Sequence, residues 1–180
     1  MRELGSPPPH PALCAGGVCP SLVHQGSLPM SLANARNAIV SWAQNAGLSS
    51  EGRDLSPFIT GTLIVAQADG PLSDGERDQI TQMYESLTGQ SLDAETLRGE
   101  RDWLAENGVD AAIRTIGENI ASHSDRELLV SFAALVAAAE GGVNAPEGGA
   151  LQKLGQGLGF SQLEVQQLLG KAMQAAGGTF

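Results

Sequence analysis

Hard oxygen ligands gather at two places in this chain, 71 positions apart and in the same order. The first run is Ala66-Gln67-Ala68-Asp69-Gly70-Pro71-Leu72-Ser73-Asp74-Gly75-Glu76. The second is Ala137-Ala138-Ala139-Glu140-Gly141-Gly142-Val143-Asn144-Ala145-Pro146-Glu147. Each has an acid followed by glycine, an apolar residue two further on, a capping-type residue, and a glutamate three beyond that. Carboxylate, hydroxyl and amide oxygens grouped on one turn suit a hard divalent cation such as calcium. The candidate metal ligands are therefore Asp69, Glu76, Glu140 and Glu147, with Ser73, Asp74 and Asn144 as secondary ligands. The spacing imitates the second half of an EF-hand loop, with glycine at position six and glutamate at twelve. The first half differs: positions one and three would be Val65 and Gln67, or Val136 and Ala138, none a carboxylate. A calcium-like cation would have to complete its shell with water or with ligands from both turns.

Capping accounts for part of the pattern without any ion. Ser73 with Glu76 and Asn144 with Glu147 are capping boxes, in which side chain and backbone amide satisfy each other reciprocally. Ser124 with Glu127 and Ser161 with Glu164 have the same form without the acid-glycine pair, so the chain uses such caps generically. Capping leaves Asp69 and Glu140 unexplained. An acid at the carboxyl end of a helix opposes the macrodipole by about 0.3–1 kcal/mol, and this sequence carries that cost twice.

The elements that must hold these turns read as helices throughout. Ser31 can cap a helix through Ile39, Val40, Trp42 and Ala43 to a stop at Gly47. Ser56-Pro57 supplies a cap and then proline at the first helical position, leading into Phe58, Ile59, Leu63 and Ile64 and ending near Ala68. Ile80, Met83, Tyr84 and Leu87 follow the first box at helical spacing. A helix starting near Asp93 holds Leu97, Trp103 and Leu104 and stops before Gly108; another carries Ile113, Ile116 and Ile120. Ser124 opens one through Leu128, Leu129, Phe132, Leu135 and Val136. Asn144 opens one through Leu151, Leu154 and Leu158, and Ser161 one through Val165, Leu168, Leu169 and Met173. No run alternates at period two. The expectation is an all-α bundle of about eight helices, with an internal pseudo-twofold repeat of one supersecondary unit. Residues 1–30 read as a Pro/Gly-rich disordered tail or an over-extended start, 31–55 as an amino-terminal helix and linker, and 56–180 as the helical domain.

Composition narrows the function classes. A formal charge of −10 argues against nucleic acid, because phosphate binding needs a Lys/Arg surface. It favours cations or basic partners instead. The apolar stretch from Leu128 to Ala139 is too short to cross a bilayer, so a cytoplasmic protein is expected. His10, Cys14, Cys19 and His24 are four zinc-type donors in the tail, without the tight spacing or flanking element of a structural zinc site. Catalysis needs a nucleophile, a base or a metal in a pocket. Beyond the tail the sole histidine is His123, which reads as a helix-end residue beside a carboxyl-terminal dipole. Gly155-Gln156-Gly157-Leu158-Gly159 lacks the strand and the Lys-Ser/Thr sequel of a phosphate loop; its glycines suit close helix approach or a helix stop. A non-enzyme is expected.

The duplicated motif, Ala-Asp-Gly-x-Leu-x-x-x-Glu and then Ala-Glu-Gly-x-Val-x-x-x-Glu, resembles the TerB-like domain. That domain occurs in tellurite-resistance proteins and at the amino-terminal side of DnaJ-type membrane co-chaperones. The resemblance covers roughly Ser56 to Ala176. It implies an all-α fold with two-fold internal similarity and an acidic surface with proposed divalent-cation binding. It also implies stress-response roles through protein partners, with membrane proximity only through such a partner. By position it points to Asp69, Glu76, Glu140 and Glu147. Glu140 replaces the family's usual aspartate, Gly148-Gly149 loosens the second helix start, and no J-domain is present.

Overall fold

The computed structural model describes residues 32–45, 54–139 and 142–177. Eight helices account for most of them: α1 (Leu32–Asn45), α2 (Ser56–Ala66), α3 (Asp74–Thr88), α4 (Ala94–Asn107), α5 (Val109–Asn119), α6 (His123–Ala139), α7 (Ala145–Gly157) and α8 (Gln162–Ala175). No strand occurs among the described residues. The all-α expectation holds.

Two helices form the axis of the bundle. α2 carries no charged residue and is buried without a break from Pro57 to Ala66; α6 is buried from Leu128 to Ala138. A helix apolar on every side must be surrounded, so the sequence face of Phe58, Ile59, Leu63 and Ile64 is only part of what α2 buries. Its two threonines fit the apolar core because their hydroxyls return to the backbone one turn earlier. Thr62 Oγ1 donates to Phe58 O at 2.8 Å, and Thr60 Oγ1 shares its one proton between Ser56 O at 3.0 Å and Glu100 Oε2 at 2.6 Å. α2 lies along α6, and the rings of Phe58 and Phe132 meet edge to face, with centroids 6.2 Å apart. Gly61 makes that approach possible: a Cβ there would lie 2.8 Å from Leu129 Cδ2.

The remaining helices wrap this pair. α1 packs on α3 and α6, α8 on α6 and α7, and α4, α5 and α7 lie against α2. Gly155 and Gly157 of α7 are close-approach positions, facing Val165 and Ile113 respectively, and Gly159 follows with a left-handed φ of +95°. Close approach and helix stop, the two uses expected of this glycine run, both occur.

Three helix starts and ends differ from the sequence reading. Ser56 is not a cap: Leu55 holds the N-cap position, and the Asp54 carboxylate accepts from the Ser56 amide at 2.9 Å. Ser56 is itself the first residue of the helix, and its amide is satisfied from two residues upstream. α6 begins at His123, so Ser124 already lies inside it. Ser122 Oγ accepts from the Asp125 amide at 3.4 Å and is 2.7 Å from Ser124 Oγ. Ile120 stands just past α5 with an extended backbone, yet remains buried at 7% exposure. Ser31, Gly47 and the His10, Cys14, Cys19 and His24 set lie outside the described residues.

Candidate functional site

The first acidic turn is built by helix termination and helix initiation in quick succession. α2 ends at Ala66, and the amides of Gln67 and Ala68 close back on Leu63 O and Val65 O at 3.0 and 3.1 Å. Ser73 then opens α3 in a complete capping box. Its Oγ accepts from the Glu76 amide at 3.1 Å, and Glu76 Oε2 accepts from the Ser73 amide at 2.7 Å. Glu76 is buried, whereas Ser73, Asp74 and Asp69 are exposed. Asp74 pairs with Arg77 on the same turn at 2.8 Å.

The second turn repeats this chemistry with one substitution of consequence. Asn144 Oδ1 accepts from the Glu147 amide at 2.9 Å, and Glu147 Oε2 accepts from the Asn144 amide at 2.8 Å; Glu147 is buried. A serine cap has a single hydroxyl, but asparagine keeps an NH2 group to donate while its oxygen caps. Asn144 Nδ2 uses that group to donate to Asp69 Oδ2 at 2.6 Å, across 75 residues of chain. The two turns therefore meet, and Asp69 has a structural reason to be there: it tethers the start of α7 to the end of α2.

The same geometry bears on cation binding. Glu140 lies outside the described residues. Among the others, Glu76 and Glu147 each commit an oxygen to a buried capping box, and Asp69 faces an amide donor rather than a ligand oxygen. No group of three or more metal-binding side chains occurs among the described residues. The described members of the set do not form a ready-made coordination shell.

Two polar arrangements go beyond what the sequence motifs indicate. Arg126, in the first turn of α6, clamps three carbonyls. Its Nε donates to Ile120 O at 2.7 Å, Nη2 to Gly117 O at 2.8 Å and Nη1 to Leu158 O at 3.3 Å. It thus ties the carboxyl end of α5 to that of α7, where the macrodipoles favour a cation. A basic residue in a helix's first turn, against the dipole of its own helix, is the signal that the sequence offers. At the amino end of α2, Asp54, Thr60, Glu100 and Trp103 line a cavity of about 300 Å³, with Thr60 Oγ1 donating to Glu100 Oε2 at 2.6 Å. Burial, and then the Asp54 carboxylate, raise the Tyr84 phenol above its ordinary value. His123 is the first residue of α6 and packs on Phe160 with ring centroids 4.9 Å apart, so it lies at the amino end of a helix.

No helix among the described residues is long and apolar enough to cross a membrane. No curated protein and no solved structure matches the chain. The family described as Tellurite resistance protein TerB matches residues 58–169, which span α2 to most of α8 and include both turns. With its all-helical bundle and more than half its length matched, the chain belongs to the TerB family.

Proposed function

We propose that this chain is a non-catalytic, cytoplasmic interaction module of a stress response, which engages a basic protein partner through the acidic rim of its two joined turns. The reading takes the two helix-turn-helix pieces as copies of one unit. The Asp69–Asn144 hydrogen bond carries it, because two turns distant in sequence are held together as one surface. Asp69 and Asp74 are exposed on that rim, and the formal charge of −10 supports attraction of a basic partner. The family's description supports the stress setting. Affinity capture from the native host, followed by identification of bound proteins, tests the reading. A specific basic protein should bind at low ionic strength and be released towards 1 M salt, where screening acts within about 3 Å. Asp69→Lys should abolish its capture. Undiminished capture by that variant would overturn the proposal.

A second reading follows from the same bridge. A divalent cation would take the place of the Asn144 amide at the Asp69 carboxylate, a hard oxygen donor. Calorimetric titration with calcium and magnesium chloride tests it. Saturable heat lost in Asp69→Asn supports cation binding, and absence of heat with the intact chain removes it.

A further inference from the structure

Arginines gather at one point on this acidic chain. Arg77, Arg98 and Arg101, three of its ten Lys and Arg residues, line a surface cavity of about 260 Å³ with Leu72, Ala94 and Leu97. Ala94, Arg98 and Arg101 recur at four- and three-residue steps and so share one face of α4. Arg77 reaches the cavity from the first turn of α3.

The charges are only loosely answered within the protein. Arg77 pairs with Asp74 at 2.8 Å, and Arg101 pairs with its chain neighbour Asp102 at 2.9 Å. The two carboxylates are 91% and 63% exposed, and surface pairs of this kind contribute little and exchange readily. Arg98 has no ion pair or hydrogen bond among the described residues. Ala94 opens α4, so its amide lacks a helical acceptor; the Asp93 side chain takes the Thr96 amide instead.

We propose that this cavity binds a phosphate-type dianion. Guanidinium groups present paired N–H donors that match phosphate oxygens two at a time, and three arginines line this one cavity. The half-buried Leu72 and buried Leu97 add an apolar wall that inorganic phosphate leaves uncovered and the carbon portion of a phosphate monoester would cover. The net charge of the chain repels extended polyanions, so a single phosphoryl group fits and a nucleic acid does not.

The probes are O-phosphoserine and inorganic phosphate, titrated separately into the full chain while the arginine Nε–H resonances are followed by NMR. Saturable shifts of the Arg77, Arg98 and Arg101 signals are expected, with Arg114 as the silent control. Arg98→Gln, at an exposed position without partners among the described residues, should keep the fold and weaken binding at least tenfold, and Arg101→Gln should do the same. Tighter binding of phosphoserine identifies the monoester as the ligand; equal binding identifies free phosphate. No saturable shift with either probe, or undiminished affinity in both variants, would overturn the proposal.

Discussion

At the scale of single residues, asparagine rather than serine at position 144 is what joins the two acidic turns. Asn144→Ser should retain the cap of α7 and lose only the bridge to Asp69, a cost of about 0.5–1.5 kcal/mol and nearer the lower figure because both groups are exposed. Urea denaturation of the two single variants and the double variant with Asp69→Ala measures the coupling. An additive result would show that the bridge contributes nothing. Arg126 is the second decisive side chain. Arg126→Ala leaves the carbonyls of Gly117, Ile120 and Leu158 without their common donor, and should destabilise by about 1–3 kcal/mol. The sequence marks Arg126 as out of place in a first turn, but it names the partner of neither residue. A cap and a charged residue are visible in one helix's sequence, but their partners lie elsewhere in the chain, Asp69 in the turn after α2 and the three carbonyls at the ends of α5 and α7.

At the scale of elements, glycines separate the close helix contacts from the open ones. A methyl group at Gly99 in α4 would meet nothing within 4 Å, so Gly99→Ala should stabilise by up to about 1 kcal/mol through helix propensity alone. Gly157→Ala meets Ile113, whose branched side chain is stiff and buried, and should cost about 1–3 kcal/mol through overpacking. Thermal melts of the two variants should move in opposite directions. The capping boxes at Ser73, Asn144 and Ser161 are legible because both partners lie within four residues of sequence. The starts of α2 and α6 are not, because two candidate caps compete at each, Asp54 with Ser56 and Ser122 with Ser124.

At the scale of the whole molecule, several surface carboxyls are held below their ordinary values. Hydrogen bonds from Thr96 do this to Asp93, the hydrogen bond and charge of Lys153 to Asp110, and hydrogen bonds from Ser161 to Glu164. A lowered folded-state pKa means that the unfolded chain binds more protons through the intervening window, so stability rises with pH there. The contribution is complete above the ordinary values of 3.8 for the aspartates and 4.5 for Glu164, and disappears as pH falls through the lowered ones. Ser161→Ala should flatten the acid limb of a stability–pH curve as well as removing a cap worth about 1 kcal/mol. An acid limb unchanged from the parent chain would assign that pH dependence elsewhere.

The helical class, the approximate helix boundaries and the boxes at Ser73, Asn144 and Ser161 were determined by the sequence alone, since 3.6-residue periodicity and capping act over a single turn. Tertiary structure decided that α2 and α6 are buried on every side, that Arg126 clamps two helix ends, and that Asn144 reaches Asp69. Those outcomes depend on which surfaces meet in three dimensions, and no periodicity within one segment encodes a partner 75 residues away.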